Sequence, residues 1–249
     1  MSPSPSPSVD FGRLASRYDA VRPVDDNWWE VYGLVEREAD LRGRRVLDVG
    51  CGTGRLSGAL ADRAGARVWG VDASPEMLAV AKAKVPGVAF KQARAEQLPF
   101  KDGWFERAVL WLVLHLVDRP AALAEARRVL GGDGRVAVVS FDESHFDAYW
   151  LNRYLPSLER VDRARFPTRD ELVAELRTAG FAEVRTLRLD QRATLSRDDA
   201  LLRMRERHIS TFDLIGEDEI ERGLAEAART LAETVDYDLR WLVALGSAA

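Results

Sequence analysis

Three glycines at alternating positions, Gly50, Gly52 and Gly54, follow the apolar segment RRVLDV and precede a helix-like pattern. Because glycine has no Cβ atom, the backbone can turn sharply there and a ligand can approach it closely. The helix that follows offers unpaired backbone amides at its N-terminus. Two carboxylates accompany the turn, since Asp48 lies two residues before Gly50 and Asp72 lies eighteen residues beyond Gly54. This pattern predicts a site for a nucleotide-like ligand.

Two classes of ligand use such a turn, and the neighbouring residues favour one of them. The dinucleotide fingerprint is G-x-G-x-x-G, but the residue in its third glycine position is Ser57. A carboxylate such as Asp48 repels a pyrophosphate, whereas it attracts a ligand ammonium group. Asp72, at the end of the next predicted strand, can accept hydrogen bonds from ribose hydroxyls. S-adenosylmethionine has an amino-acid end, a ribose and no phosphate, so it suits both carboxylates.

The elements that must position these residues alternate along the chain. Near-continuous apolar strands separated by helices predict a parallel sheet that is covered on both faces. The predicted strands lie at 44–50, 66–74, 88–95, 105–113, 131–141, 181–190 and 237–246. The predicted helices lie at 9–21, 27–40, 54–64, 75–84, 119–130 and 168–180, with a charged helical stretch at 197–235. We therefore expect a doubly wound α/β fold with about seven strands.

The chain reads as one domain with additions at both ends of a core. Residues 1–8 alternate Ser and Pro after Met1, which predicts a disordered tail, and residues 9–249 form the domain. Within it we expect N-terminal helices at about 9–40 and a ligand-binding core at about 44–141. The regular alternation stops after Phe141, and residues 142–167 are aromatic and irregular. The part at 142–249 is expected to contribute helical insertions on the substrate side.

Composition limits the classes of partner. The 249 residues carry a net charge of −4, so a nucleic-acid partner is disfavoured, and no apolar run approaches the roughly 18 residues that span a membrane. A single cysteine, Cys51, fits a reducing cytoplasm. Three scattered histidines and that cysteine have no metal-ligand spacing, so no metal is expected. A monomer or a homodimer remains open.

Four segments, in order and spacing, resemble the motifs of class I S-adenosylmethionine-dependent methyltransferases. They are VLDVGCGTGRL, VWGVDASPEMLAVAKAK, ARAEQLPFKDGWFERAVLWLVLHLVD and ARRVLGGDGRVAVVSF. The resemblance is greatest to the type 11 group, which includes ubiquinone- and menaquinone-biosynthesis-like enzymes. It covers about residues 9–141 and implies a Rossmann-like methyltransferase sheet with helices on both faces. It further implies a helical cap from the N-terminus and the late insertions.

The resemblance also implies where the cofactor lies. Gly50 and Gly52 would contact its methionine part, and Asp72 would bind the ribose hydroxyls. The other expected cofactor contacts are Asp48, Ala73, Met77, Ala95, Glu96 and Trp111. Related enzymes use an N-terminal helix as a lid with a similar Tyr and Arg-Pro pattern, which here is Tyr18 and Arg22; a plain surface helix is the alternative. Arg94 stands where the family commonly has an aspartate that binds adenine.

The acceptor side is less defined by the sequence. His115, after the fourth predicted strand, is the candidate general base or substrate contact, with a packed histidine as the alternative. The other candidate substrate contacts are His145, Tyr149, Trp150, Tyr154, Arg203 and His208. The arginines at 203, 205 and 207 are predicted either to bind a substrate carboxylate or to form a solvated helix face. Trp28 and Trp29 are expected to pack rather than to bind substrate.

The sequence thus predicts an enzyme that transfers a methyl group from S-adenosylmethionine to a small organic molecule. The reaction is an in-line displacement, for which alignment matters more than a strong catalytic group. The acceptor atom, O, N or C, stays open. One alternative is a non-catalytic S-adenosylmethionine-binding protein or partner subunit, a reading that Arg94 favours. A NAD-dependent oxidoreductase is the other alternative, which Asp48 and Ser57 disfavour.

Overall fold

A parallel sheet forms the centre of the molecule. The computed structural model describes residues 15–22 and 24–248, and within them seven strands form one sheet in the order β3-β2-β1-β4-β5-β7-β6. The strands are β1 Arg45–Val49, β2 Arg67–Asp72, β3 Ala89–Gln92, β4 Phe105–Trp111, β5 Leu130–Phe141, β6 Ala182–Ser196 and β7 Thr234–Ser247. Only β7 runs antiparallel to its neighbours, β5 and β6. The predicted mostly parallel, seven-stranded Rossmann-like sheet is confirmed.

Helices cover this sheet, and local sequence signals begin and end several of them. They are α1 Tyr18–Val21, α2 Asp26–Glu38, α3 Arg55–Ala64, α4 Pro75–Lys84, α5 Arg119–Val129, α6 Leu158–Arg165, α7 Arg169–Thr178, α8 Arg197–Arg205 and α9 Glu217–Thr230. Ser74 caps α4 by accepting a hydrogen bond from the Met77 amide, with Pro75 in the first helical position. Thr168 and Glu171 form a capping box at α7.

The apolar strands bury alternate residues on the two faces of the sheet. In β4, Ala108 and Leu110 belong to the core under α5 and α7, whereas Val109 belongs to the core under α2 and α3. Both cores consist of side chains with almost no exposed surface. This double burial explains why the central strands read as continuous apolar runs, and it places the carboxyl ends of β1, β2 and β4 at one edge.

A third apolar cluster lies apart from the two sheet cores. It joins residues 150–158, α8, the segment Ser210–Leu214, α9 and the ends of β6 and β7 that extend past β5. We call this part the C-terminal cap. Its largest fully buried side chain is Phe212. The pairing of Gln191–Ser196 with Thr234–Leu239 continues the β6–β7 hairpin into the C-terminal cap.

The late part of the chain differs from its predicted boundaries. The predicted strand at 181–190 extends to Ser196, and the charged helical stretch stops at Thr230 rather than at 235. The irregular segment 142–167 contains α6, which packs its buried Asp162 inward. In the predicted N-terminal helix, only Tyr18–Val21 forms a helical turn within the described residues. The tail at 1–8, residues 9–14 and Pro23 lie outside the described residues.

Candidate active site

The glycine turn, residues 50–54, connects β1 to α3 at the carboxyl edge of the sheet. Its three glycines have φ angles of +72°, +52° and +77°, which residues with a side chain rarely adopt. The Gly50 and Cys51 amides donate to the Val71 carbonyl at 2.8 and 2.9 Å, which holds the turn against β2. A Cβ on Gly52 would meet no heavy atom within 4 Å. Gly52 therefore faces open space, where a ligand can lie against the backbone.

Asp72 ends β2 beside the glycine turn. Its Oδ2 accepts a hydrogen bond from the Gly52 amide at 2.8 Å, and its Oδ1 accepts one from the Ser74 amide at 2.9 Å. Burial raises the pKa of Asp72, while these backbone hydrogen bonds act to lower it. The side chain remains partly exposed, so its carboxylate both shapes the turn and faces the space next to it. Such a carboxylate suits a pair of ribose hydroxyls.

Asp48 lies behind the turn and is only 1% exposed. Its Oδ2 accepts a hydrogen bond from the Ser57 hydroxyl at 2.6 Å. Ser57 occupies the third glycine position of the dinucleotide pattern, so the residue that departs from that pattern is the partner of the buried carboxylate. Burial, together with the nearby Asp72, raises the pKa of Asp48 to about 7. Its predicted interaction with a ligand ammonium group would be strengthened by the low dielectric constant around a buried carboxylate.

The residues predicted to lie beside the adenine ring follow the carboxyl ends of β2 and β3. Ala73 is exposed, whereas Met77 and Ala95 are buried at 2% and 7% exposure. Glu96 accepts the Asp118 amide at 3.1 Å and pairs with Arg94 at 3.0 Å. The Arg94 side chain is 72% exposed, so it extends outward along Glu96. The adenine contacts themselves stay predictions.

Trp111 ends β4 next to the turn and is partly exposed. Its ring stacks on Trp28 of α2 at 5.5 Å between centroids, and Trp28 stacks in turn on Tyr32 at 5.6 Å. The following residue, Leu112, has a φ of +51°, an unusual backbone angle for a branched side chain. Trp28 is thus a packing residue, and it fixes the ring predicted to line the cofactor.

The segment Arg17–Arg22, which we call the lid, joins the glycine turn to the C-terminal cap. Arg22 donates to the Tyr18 hydroxyl at 2.8 Å and to the His208 carbonyl at 2.7 Å. On the other side, Arg55 at the start of α3 donates to the Arg22 carbonyl. Arg17 forms an ion pair with Glu206, the residue that caps the C-terminus of α8. The predicted Tyr18 and Arg22 therefore lie between the two parts that a cofactor lid must connect.

Asp19 also holds the lid in place, a role that was not predicted from the sequence. Its Oδ1 accepts hydrogen bonds from Thr53 at 2.8 Å and Arg55 at 3.0 Å, and its Oδ2 pairs with Lys84 at 2.6 Å. Burial acts to raise the pKa of Asp19, but the bonds and charges of Lys84, Thr53 and Arg55 bring it below its usual value. The sequence near Asp19 offers one hint of this role, which is that Asp19 lies three residues before Arg22.

The acceptor-side candidates fall into two groups. His115 stacks on Phe166 at 4.0 Å, and His208 faces Tyr149, with Nε2 and the hydroxyl 3.4 Å apart. Arg203 of α8 donates to the Tyr237 hydroxyl at 3.4 Å. These candidates and the arginine and aromatic side chains around them form a group that we call the arginine cluster. Its members are Arg22, His115, Tyr149, Arg165, Phe166, Arg203, His208 and Tyr237.

Three other candidates lie outside the arginine cluster. His145 stacks on Phe141 at 4.1 Å, and burial, then Arg240, lowers its pKa to about 4. Trp150 and Tyr154 are buried at 8% and 6% exposure within the apolar cluster of the C-terminal cap. Each has a packing role in this structure, and their substrate contacts stay untested predictions.

The comparisons with known proteins agree with this geometry. Residues 46–134 match the methyltransferase domain family. The demethylmenaquinone methyltransferase of Thermus thermophilus is 32% identical over 209 residues, which cover 69% of this chain and 91% of that protein. The malonyl-[acyl-carrier protein] O-methyltransferase of Geobacter sulfurreducens is 36% identical over 197 residues, 73% of this chain and 72% of that one. The chain belongs to the S-adenosylmethionine-dependent methyltransferases.

The fold of this methyltransferase is shared with solved structures. A putative methyltransferase from an antibiotic biosynthesis pathway of Anabaena variabilis aligns with a TM-score of 0.70 at 24% identity, covering 90% of this chain and 98% of that one. Among the demethylmenaquinone methyltransferases, the share of the relative that this chain covers ranges from 57% to 91%. The curated relatives confirm the ubiquinone- and menaquinone-biosynthesis-like group, and the solved structure confirms the fold.

Family membership confirms that the chain is an S-adenosylmethionine-dependent methyltransferase, and neither alternative function gains support. The residues fit this methyltransferase cofactor, because Gly52 leaves the space that a Cβ would fill and Asp72 borders it. Within the described part of the chain, no group of three or more His, Cys, Asp or Glu side chains is placed to hold a metal ion. No helix there is long and apolar enough to cross a membrane.

Proposed function

We propose that this methyltransferase binds its acceptor in the arginine cluster, between the glycine turn and the C-terminal cap. The observation that carries this proposal is Arg22, whose carbonyl is bonded by Arg55 beside the turn and whose guanidinium is bonded to His208. One lid residue thus contacts both the predicted cofactor side and the candidate acceptor side. A closed lid there would exclude water from the methyl group.

The chain's own residues would mainly bind and orient. When bound, S-adenosylmethionine supplies a methyl group that is activated on a sulfonium. Asp72 would hold the ribose, the glycine turn the methionine part, and Arg22 the cofactor carboxylate as a bidentate pair. Alignment of the acceptor atom with the methyl group then supplies most of the rate.

His115 is the candidate base for an acceptor that must lose a proton. Burial, followed by the charges of Arg165 and Arg22, holds the pKa of His115 well below its usual value. The ring is therefore neutral at physiological pH and has a nitrogen free to accept a proton. A carbon or carboxylate acceptor would not need this step.

The relatives support a small or carrier-bound organic acceptor, since they are a demethylmenaquinone methyltransferase and a malonyl-[acyl-carrier protein] O-methyltransferase. We further propose that nucleic acid is not the acceptor, because the chain is acidic, and that the protein works in the cytoplasm as a monomer or homodimer.

The proposal is tested with methyl-labelled S-adenosylmethionine and small-molecule extracts. We expect S-adenosylhomocysteine to bind by calorimetry and a labelled small molecule to form. His115→Gln should lower kcat while cofactor affinity stays the same. Tight cofactor binding without labelled product from any extract would instead support a binding protein. Label found only in nucleic acid, or on protein side chains rather than on a carrier-bound group, would also contradict the proposal.

A further inference from the structure

The arginine cluster contains more positive charge than the described residues compensate. Three guanidinium groups, those of Arg22, Arg165 and Arg203, act on the buried ring of His208 and the half-buried rings of His115 and Tyr149. Burial and then two of these arginines lower the pKa of each histidine, so both rings are neutral. The histidines therefore add no charge of their own.

One of the three arginines has a carboxylate partner. Arg165 lies 3.5 Å from Asp162, and it also donates to the Ser210 hydroxyl at 2.8 Å. Asp162 accepts the Thr211 hydroxyl at 2.5 Å, and burial raises its pKa to about 6. This carboxylate is thus fixed by its own partners on α6 and the C-terminal cap, and it compensates Arg165.

Among the described residues, Arg22 and Arg203 have only neutral acceptors. Arg22 bonds the Tyr18 hydroxyl and the His208 carbonyl, and Arg203 bonds the Tyr237 hydroxyl. Among residues 15–22 and 24–248, no carboxylate lies within ion-pair distance of either guanidinium. Both residues are half-buried, so an anionic ligand at this place would gain charge-assisted hydrogen bonds from guanidinium groups that water screens only in part.

The charges of both arginines act on the same two side chains. Arg22 belongs to the lid and Arg203 to α8, and both act on the His208 ring and the Tyr149 hydroxyl. The His208 ring Nδ1 donates to the Arg203 backbone carbonyl at 3.1 Å. With Nδ1 protonated, Nε2 accepts from the Tyr149 hydroxyl. The cofactor has one carboxylate, which Arg22 is positioned to bind from the lid. Arg203 is left for a second anion.

We propose that the methyl acceptor is an aromatic or apolar molecule bearing a carboxylate, and that Arg203 binds this carboxylate. This inference rests on the acceptor site of the proposed function. Tyr149, Tyr237 and Phe166 provide aromatic surfaces for the apolar part, while the Arg203 guanidinium provides charge-assisted hydrogen bonds. Arg203 thereby selects the acceptor, whereas the glycine turn selects the methyl donor.

The chain offers a matched control on the same helix. Arg205 is exposed, and Arg207, just after α8, forms an ion pair with Glu217. These two are the solvated arginines that the sequence also allowed, and Arg203 alone of the three reaches the cluster. Arg203→Gln and Arg205→Gln therefore change the same charge by the same substitution, one inside the cluster and one outside it.

The test uses 2-naphthoate as the probe and 2-naphthamide as its neutral counterpart. Each is titrated by calorimetry into full-length protein saturated with S-adenosylhomocysteine. We expect the acid to bind at least about tenfold more tightly than the amide, the size of a charge-assisted hydrogen bond. Arg203→Gln should remove this preference, and Arg205→Gln should keep it.

Affinity for S-adenosylhomocysteine alone, measured on the same samples, separates the two proposals. If the wild-type protein does not bind it, the proposed function fails. If it does bind, the carboxylate assignment is overturned by any of three results: no binding of 2-naphthoate, equal binding of acid and amide, or an unchanged preference in Arg203→Gln.

Discussion

A buried carboxylate beside a cofactor site has a measurable proton equilibrium. Asp48 is sealed behind the glycine turn with Ser57 as its partner, and its pKa is about 7, so near that pH it is about half protonated. The ammonium and sulfonium groups of S-adenosylmethionine would favour the charged form and lower this pKa. Binding at pH 7 should therefore release a fraction of a proton, on the order of one half, from Asp48.

Calorimetry in buffers of different ionisation enthalpy measures that proton. The wild-type protein should release more protons than Asp48→Asn at pH 7, and the difference should vanish near pH 8.5, where Asp48 is already ionised. Asparagine keeps an oxygen that accepts the Ser57 hydroxyl, so the turn is preserved. Identical proton release by both proteins at pH 7 would show that Asp48 does not sense the ligand charge.

The same carboxylate affects stability in a defined direction. The folded-state pKa of Asp48 is above its unfolded value of 3.8, so the protonated form favours the folded state. Its contribution is fully present below about pH 4 and is lost as pH rises through about 7. The free energy of unfolding of the wild-type protein, relative to Asp48→Asn, should therefore fall across this range, by a few kcal/mol at most. Urea denaturation at several pH values measures it.

Asp72 has two tasks that a pair of variants separates. Asp72→Ala removes the acceptor for the Gly52 and Ser74 amides as well as the proposed ribose contact. Affinity for S-adenosylhomocysteine should fall by about 1–3 kcal/mol. Asp72→Asn keeps one side-chain oxygen, so its affinity for S-adenosylhomocysteine should fall less. If Asp72→Ala binds S-adenosylhomocysteine as tightly as the wild-type protein, Asp72 does not contact the cofactor.

At the scale of elements, the lid is held by several side chains rather than by helix propensity. The helical turn α1 has four residues, which is too short to be stable alone. Asp19 joins it to Thr53 of the glycine turn, Arg55 and Lys84, while Arg22 joins it to His208. Lid opening must therefore break polar contacts on both sides.

Weakening the polar contacts on one side of the lid should speed dissociation of the cofactor. Asp19→Asn should raise the KM for S-adenosylmethionine several-fold and speed release of S-adenosylhomocysteine, followed by tryptophan fluorescence in stopped flow. Tyr18→Phe and Arg22→Ala should also raise that KM. Asp62→Asn is the control, because Asp62 is an exposed aspartate on α3. If Asp19→Asn matches Asp62→Asn in both measurements, Asp19 does not hold the lid.

Elements whose burial follows a regular period were predictable from the sequence. The central strands and α4 match their predicted positions within a few residues, because apolar runs and caps are local signals. The helix α6 was missed because one of its two buried residues, Asp162, is polar and interrupts the apolar period that Leu158 begins. The end of β6 was missed because its pairing partner, Thr234–Leu239, lies some forty residues further along the chain.

The candidate site shows the same division. Gly52, Asp72 and Ser57 could be interpreted from spacing alone, since a turn and the strand after it are near in sequence. The arrangement of Arg22, His208 and Arg203 could not, because 186 positions separate the first two. Arg203, Arg205 and Arg207 were equally good candidates in the sequence, and only the tertiary packing of α8 distinguishes them.

At the scale of the whole molecule, the cofactor edge and the C-terminal cap have separate apolar cores. Polar contacts of the lid cross the junction between them, Arg17 with Glu206 and Arg22 with His208, beside the β6–β7 hairpin that both parts share. A unit with its own core can open separately from the rest of the protein. We expect the C-terminal cap to exchange amide hydrogens through such an opening.

Gly223 provides the substitution that tests this independence. A Cβ there would lie 2.4 Å from the Tyr154 carbonyl oxygen and 2.8 Å from Leu155, so Gly223→Ala must push α9 outward. Gly216, before the same helix, has no heavy atom within 4 Å of its added Cβ, so Gly216→Ala is the matched control. Overpacking of this kind costs about 1–3 kcal/mol.

Hydrogen exchange read by mass spectrometry should show where that cost falls. In Gly223→Ala, amides of α8 and α9 should exchange faster, whereas those of β1 and β4 should keep the wild-type rate; Gly216→Ala should change neither. Affinity for S-adenosylhomocysteine should be nearly unchanged, because the glycine turn and Asp72 belong to the sheet. Faster exchange in β1 and β4 as well would mean that cap and sheet unfold together, since the polar junction would then couple them as strongly as a shared core.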